Sequence, residues 1–419
     1  MTKTNNIPQG YKNSALGIIP EEWEVKKMKK AGNVQTGNTP PTNNEENYGN
    51  EYLFVSPFDL KGQKYIKDTE KKLSNKGFLI SRQFPEGSIL FTCIGSTIGK
   101  IGIASRQLTS NQQINAVIVN TNNNNEFLYY HLEFNVPKIR LIAGEQAVPI
   151  INKSQFENIK LLLPPLPEQQ KISEILSVWD AAIEKQNGII EKLELRKRGL
   201  MQQLLTGKKR LRTASGEKFS GEWKKVKLMD FCNRLIRKNS DNCENVVTIS
   251  AQRGFVRQTD FFNKTIASEI TDNYFLVKRN EFCYNKSYSN GYPMGAIKRL
   301  KDFDEAVVTT LYICFSVKSS VNIDFIEQVF SAGMLDKGLM KVANEGGRAH
   351  GLLNVTPSDF FNIHITIPSL SEQTAIAEIL ITANNQIELE KQKLTQLKAQ
   401  KKGLMQVLLT GKKRVKIVD

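Results

Sequence analysis

Two Gly-Lys steps are the first residues with a chemical possibility. They occur in Thr206-Gly207-Lys208-Lys209 and Thr410-Gly411-Lys412-Lys413. A phosphate-binding loop needs a glycine-rich turn between a strand and a helix, with Ser or Thr after the lysine. Both pairs here follow a long helical pattern, so they read as helix caps. Gly95-Ser96-Thr97-Ile98-Gly99-Lys100-Ile101-Gly102 has the glycines of a phosphate cradle, but no helix follows it, which favours a hairpin or sheet bend. The five cysteines (Cys93, Cys232, Cys243, Cys283, Cys314) contain no Cys-x-x-Cys pair and read as reduced, mostly buried thiols. The three histidines (His131, His350, His364) have no neighbour at metal-ligand spacing, so no metal site is expected. No Asn-Pro-Pro-aromatic segment for base methylation and no acidic cluster for two-metal hydrolysis is present. Any chemistry must therefore come from a partner.

The elements that would position such residues are written twice. Pro164-Pro165-Leu166-Pro167-Glu168-Gln169 opens a segment that closes with Gly199-Leu200-Met201-Gln202-Gln203-Leu204-Leu205-Thr206-Gly207. About 204 residues later come Pro368-Ser369-Leu370-Ser371-Glu372-Gln373 and Gly403-Leu404-Met405-Gln406-Val407-Leu408-Leu409-Thr410-Gly411. Apolar positions step by four and three through Ile172, Leu176, Trp179, Ile183, Ile190, Leu193, Leu200 and Leu204. The second copy repeats them as Ile376, Leu380, Ala383, Ile387, Leu394, Leu397, Leu404 and Leu408. Polar breaks fall at equivalent places, Gln186 and Lys197 against Glu390 and Lys401. This is a coiled-coil seam over about five heptads. Pro167 suits a first helical turn and Ser371 an N-cap; Glu168 and Glu372 favour the positive end of each dipole, and the Lys-Lys-Arg runs after Gly207 and Gly411 favour the negative end. Each helix would span roughly 57 Å at about 1.5 Å per residue, the length of a spacer. Antiparallel pairing lets each copy meet its equivalent across a pseudo-two-fold axis, placing Lys197 near Ala383 and Lys401 near Trp179.

Each half also begins alike, with Gly17-Ile18-Ile19-Pro20-Glu21-Glu22-Trp23-Glu24-Val25 answered by Gly221-Glu222-Trp223-Lys224-Lys225-Val226. Short strands are expected between, at 52–55, 88–92, 98–104 and 114–119 in the first half and at 246–249, 281–284, 295–297 and 310–315 in the second. A helix follows in each, over 126–134 and 324–330. The fold class is α+β, with two globular domains in pseudo-two-fold arrangement separated by two long helices that form an antiparallel coiled coil. The boundaries read as a loose N-terminal arm over 1–16, a first domain over 17–163, a first long helix over 164–212, a second domain over 213–367, and a second long helix with a basic tail over 368–419. The 419 residues carry a net charge of +16, which points to a polyanionic partner, nucleic acid before membrane. No run has the length of a spanning helix and the N-terminus has no signal-like apolar core, so a soluble, cytoplasmic protein is expected.

The duplicated Pro-Pro-Leu-Pro-Glu-Gln helix opening at Pro164, the Leu-Leu-Thr-Gly closings, and the Trp23-led and Trp223-led domains resemble the specificity subunits of type I restriction-modification enzymes. The resemblance covers nearly the whole chain; Ser369 and Ser371, where the first copy has prolines, are its small departures. It implies a non-catalytic chain whose two target-recognition domains each read one half of a split, asymmetric site in double-stranded DNA. It further implies that the paired helices set the separation and dock two methyltransferase subunits, and that translocating, cleaving subunits join them. S-adenosylmethionine, ATP and Mg²⁺ would then belong to those partners and not to this chain. Base reading calls for Arg, Lys, Gln and Asn at base edges, with positive charge on phosphates. Candidates in the first domain are Arg82, Gln83, Ser96, Thr97, Asn111 and Gln112. In the second they are Arg253, Arg257, Lys286, Ser287, Tyr288, Asn290, Tyr292 and Arg348.

Two other readings remain open in the sequence. One is a coiled-coil scaffold with nonspecific nucleic-acid affinity, which gives no reason for halves that match at their ends and differ in between. The other is an enzyme with an unrecognised site, disfavoured by so few histidines and clustered carboxylates.

Overall fold

The computed structural model describes residues 7–144, 147–213, 215–240, 243–258, 271–343 and 353–417. The chain divides into two units, one made of Met1–Asn187 with Gln392–Asp419, the other of Gly188–Lys391. The boundary falls inside both long helices, Leu166–Leu204 and Leu370–Leu408.

In the first unit, Glu24–Lys27 pairs antiparallel with Lys160–Leu163, and the chain leaves that ladder directly into the first long helix. A five-stranded sheet runs in the order Gly32–Thr36, Ile114–Val119, Ile89–Thr92, Ile101–Ala104, Tyr65–Ile66, antiparallel except at its last pair. A second sheet of five short strands packs nearby around Leu53, Val55, Phe84 and Leu108. The helix Asn125–Arg140 covers the first sheet; Asn124 caps it by accepting from the Phe127 N–H at 2.8 Å. It runs past the expected stop at 134 even though Pro137 lies within it. Phe127, Leu128, Tyr130, Leu132 and Ile139 keep its inner face buried, so packing overrides the proline's lost hydrogen bond.

Residues 11–20, partly assigned to a loose arm by the sequence, form a hairpin of Tyr11–Ser14 with Gly17–Pro20. The Tyr11 hydroxyl donates to the Gly411 carbonyl at 3.0 Å, and Ile19 and Trp23 are buried with Met405, Leu408 and Leu409. The end of the second long helix is therefore part of the first unit's core.

The second unit repeats the plan. Lys224–Lys227 pairs with His364–Ile367 and leads into the second long helix. A four-stranded sheet runs Cys232–Leu235, Ile313–Val317, Phe282–Asn285, Ala296–Arg299. The amphipathic helix Ile323–Ser331, capped by Asn322, buries Phe325, Ile326, Val329 and Phe330 on it. Leu204 of the first long helix and Leu205 just after it join this core with Ile376 and Leu380 of the second.

Within each unit the two long helices run antiparallel. Ile172, Leu176, Ile190, Leu204, Ile376, Leu380, Ile387 and Leu408 are buried, while Trp179, Ile183, Leu193, Leu200, Leu394, Leu397 and Leu404 are half-buried. Each fully buried side chain of this size contributes about 1.5–3 kcal/mol. The N-cap of the second helix is Ser369 and not Ser371: the Ser369 hydroxyl accepts from the Glu372 N–H, and Ser371 lies in the first turn. Both helices end in a turn in which Gly207 and Gly411 adopt φ of 69° and 70°, a left-handed conformation that glycine alone adopts without strain.

Candidate nucleic-acid interface

In the first unit, Thr36 lies opposite Asn115 and Thr92 opposite Ile114, so three strand ends coincide. The segments 37–39, 93–100 and 111–113 therefore gather at one end of the sheet. Ser96 is exposed and Thr97 half-buried in the turn joining Ile89–Thr92 to Ile101–Ala104. That turn is held by the Ile98 N–H on the Gly95 carbonyl at 3.2 Å, with Gly95 and Gly99 at positive φ. Gln112 is exposed and its Oε1 accepts from the Thr39 hydroxyl at 2.6 Å. Asn111 is turned onto Gln113 at 2.9 Å. The Arg82 backbone N–H donates to Asn38 Oδ1 at 2.6 Å, and its guanidinium donates to the Thr36 carbonyl. Arg82 thus braces the cluster it sits in. Gln83 stands one sheet over, opposite Thr109, and donates to the Phe78 carbonyl at 3.3 Å.

The second unit places a longer loop at the corresponding end. Leu235 lies opposite Cys314, Tyr284 opposite Ile313 and Asn285 opposite Ala296, so residues 286–295 leave the sheet where its strand ends coincide. Asn285 Nδ2 donates to the Ile249 carbonyl at 3.1 Å, tying in the hairpin tip that carries exposed Arg253. Ser287 donates its N–H to Asn285 Oδ1 at 2.9 Å, and Ser289 and Tyr292 close a tight turn around exposed Asn290. Tyr288 is exposed, and Lys298 Nζ lies 5.1 Å from the Tyr292 ring centroid. Burial holds the Lys286 ammonium below its ordinary pKa. The structure thus brings Lys286, Ser287, Tyr288, Asn290, Tyr292 and Arg253 together. Arg257 is not with them: it sits at the other end of the hairpin, opposite Val247, over the Phe303 ring at 5.7 Å. Arg348 lies outside the described residues.

Sequence reasoning took Glu168 and Glu372 for helix-dipole partners and missed their role. Both carboxylates are buried, and each receives a bidentate arginine from the turn that follows the other long helix. Arg414 Nε and Nη2 donate to Glu168 at 2.7 and 2.9 Å; Arg210 Nε and Nη2 donate to Glu372 at 2.7 Å each. The adjacent glutamines complete a latch. Gln169 accepts from the Asn124 N–H at 2.9 Å and donates to the Pro164 carbonyl at 2.9 Å. Gln373 does the same with Asn322 at 2.8 Å and Pro368 at 2.9 Å. Each Glu-Gln thus fastens the start of a long helix to the domain helix beside it and to the other long helix's end. The signal was available, because the Glu-Gln and the Arg both recur in both copies. Among the described residues no group of three His, Cys, Asp or Glu side chains could hold a metal ion, and no helix is long and apolar enough to cross a membrane.

The chain matches the family described as type I restriction modification DNA specificity domain twice, over residues 20–195 and 220–399. It belongs to that family. Each match contains one of the two Glu-Gln pairs, Glu168-Gln169 and Glu372-Gln373. The MjaVIII type I restriction enzyme specificity subunit of Methanocaldococcus jannaschii is 27% identical over 415 residues, covering 95% of this chain and 94% of that one. The MjaIX specificity subunit of the same organism is 34% identical over 194 residues, covering 44% of this chain and 45% of that one. The crystal structure of a type I restriction-modification S subunit from M. genitalium superposes with a TM-score of 0.55, at 15% identity, covering 98% of each chain, which establishes the shared fold. As a specificity subunit the chain is non-catalytic, and the activities of such a system reside on other subunits.

Proposed function

We propose that each domain of this specificity subunit reads one half of a split, asymmetric site in double-stranded DNA, through the loops gathered at its sheet end. The observation that carries this reading is the repetition itself: the same sheet end in both units, presenting different side chains. The first offers Ser96, Thr97, Asn111, Gln112 and the bracing Arg82; the second offers Arg253 and the Lys286–Tyr292 loop. Amides, hydroxyls and cations of this kind match base-edge donors and acceptors in the major groove. The net charge of +16 supplies phosphate affinity without sequence information. The paired helices hold the readers at a fixed separation, suited to half-sites about one turn, roughly 34 Å, apart. They also dock two methyltransferase subunits, to which restriction and translocation subunits are added. Those partners bind S-adenosylmethionine, ATP and Mg²⁺ and carry out adenine methylation and cleavage in the cytoplasm.

The test is selection of bound duplexes from a random library by the complex of this chain with its methyltransferase. A bipartite motif is expected. Altering the Lys286–Tyr292 loop should change one half and leave the other; altering Ser96 and Thr97 should do the reverse. An ungapped motif, or one that both sets of changes degrade alike, would reject the reading.

A further inference from the structure

The duplication supplies its own comparison. In the first unit Lys401, on the seam, has a side chain only 13% exposed, and it is fully compensated. Its ammonium pairs with Asp180 at 2.7 Å and Glu133 at 3.4 Å and lies 5.1 Å from the Tyr130 ring centroid; Tyr130 in turn donates to Asp180. Trp179, half-buried, precedes Asp180 on the same helix. In the second unit the equivalent lysine is Lys197, and the two caps Asn124 and Asn322 fix the correspondence of the domain helices. Asp180 becomes Asn384, Glu133 becomes Ser331, Tyr130 becomes Gln328, and Trp179 becomes Ala383. Each acidic or aromatic group of the first set thus has a neutral, non-aromatic counterpart in the second.

Lys197 accordingly makes no hydrogen bond or ion pair among the described residues. It is half-buried, and burial, then Lys391, hold its ammonium below the ordinary pKa, with partial opposition from Glu194 and Glu388. Those two acids are already engaged by Lys391, at 3.0 and 3.6 Å. Lys298, which also feels Lys197, faces Glu327, and Glu327 is engaged by Arg299 and Lys301. At Ala383, the position equivalent to Trp179, the second unit has a cavity of about 360 Å³, lined by Lys197, Arg196, Glu378, Leu193, Ile379 and Ala383 among others. Leucine and isoleucine walls, two cations against the single carboxylate of Glu378, and a lysine with no ion-pair partner among the described residues coincide at one place.

We infer that this cavity receives an aromatic side chain flanked by a carboxylate from a helix of the methyltransferase partner, reproducing between molecules the pairing of an ammonium with a carboxylate and a ring that Lys401 makes with Asp180 and Tyr130 within the first unit. This rests on the proposed docking of methyltransferase to the long helices. It makes the two docking faces unequal: the second takes a side chain in, and the first, whose Lys401 is already paired, offers no such charge. An indole stacked between Leu193 and Ile379 beside an ammonium gains dispersion and cation–π attraction, and the carboxylate removes the uncompensated charge.

The experiment titrates the full chain with its cognate methyltransferase subunit and reads stoichiometry and affinity by native mass spectrometry and calorimetry. Ala383→Trp combined with Asn384→Asp supplies the missing groups from within and closes the cavity. The variant should melt higher than the parent and lose one of two binding events, with that site weakened by at least about tenfold, as for a buried interface anchor. Lys197→Met, which keeps the cavity open but removes the charge, should weaken the same site less and leave the other unchanged. Indole-3-acetate, carrying both the ring and the carboxylate, should bind the parent chain and not the filled variant. A filled variant that folds and still binds two subunits with parental affinity overturns the inference alone. A parent chain that binds no methyltransferase overturns the docking reading as well.

Discussion

The two buried carboxylates give the sharpest quantitative expectation, because their donors differ: Arg414 also pairs with exposed Glu22 and Arg210 with the Gly221 carbonyl, and a tryptophan reaches only one of the two carboxylates. Glu168 and Glu372 are 0% and 1% exposed, and each is neutralised by a bidentate arginine. Removing one member of a buried pair leaves an uncompensated charge, at about 3–5 kcal/mol. Glu168 has a second donor, since the Trp23 indole N–H reaches it at 3.0 Å. The equivalent Trp223 indole nitrogen is buried without a hydrogen-bond partner and gives Glu372 no such support. A hydrogen bond to a charged group is worth about 1.5–3 kcal/mol, so Arg414→Met should be the milder change by about that amount. For a unit of this size, 3–5 kcal/mol corresponds to a Tm loss of roughly 6–20 °C. Calorimetry should therefore find a larger loss for Arg210→Met than for Arg414→Met. Adding Glu372→Gln to Arg210→Met should restore much of the loss, because the charge that made the cavity costly is gone. Equal losses, or a double variant no better than the single, would refute the argument from unpaired charge.

His131 is fully buried, and desolvation, aided by Lys138, lowers its pKa to about 4; its Nε2 accepts from the Leu162 N–H at 3.2 Å. The unfolded chain takes up that proton near pH 6.5, so stability is full above that value and falls as pH drops toward 4. The loss should total about 3 kcal/mol, and His131→Gln should flatten pH-dependent melting across that window. At the caps, an added Cβ on Gly411 would lie 2.5 Å from Pro20 Cδ, whereas on Gly207 it meets only the Trp223 ring, at 3.3 Å. Gly411→Ala should cost about 2–4 kcal/mol in denaturant unfolding and Gly207→Ala about 1–2, both through the left-handed backbone and the former through the clash as well. Lys286→Ala should weaken binding to the selected duplex and lower the salt slope by about 0.9 if the ammonium meets phosphate, with methyltransferase binding intact. An unchanged affinity and slope would remove Lys286 from the interface.

The long helices were legible because a seam and its interruptions, written twice, leave little freedom; the expected and observed ends differ by a few residues. The central strands were legible from β-branched runs such as Ile114–Val119. What the sequence concealed depends on contacts hundreds of residues apart. Tyr11 and Ile19 are ordered because they meet Gly411 and Leu408, and nothing local announces that. The Lys-Lys-Arg runs read as partners of the helix dipoles, yet the arginine of each is drawn to a buried glutamate. Arg82 and Arg257 belong to residue types suited to base edges, but one is spent on the Thr36 carbonyl and the other stands over Phe303. Residue type identifies candidates, and only the sheet register separates those that gather from those that do not.

The most direct test of the central claim is methylation-sensitive long-read sequencing of DNA from cells carrying this chain with its methyltransferase, against cells lacking this chain alone. A split adenine-methylated motif that appears only with the chain, its halves separated by a fixed number of unspecified bases, is the predicted result. An identical methylome in both cells, with an active methyltransferase demonstrated, would contradict the account.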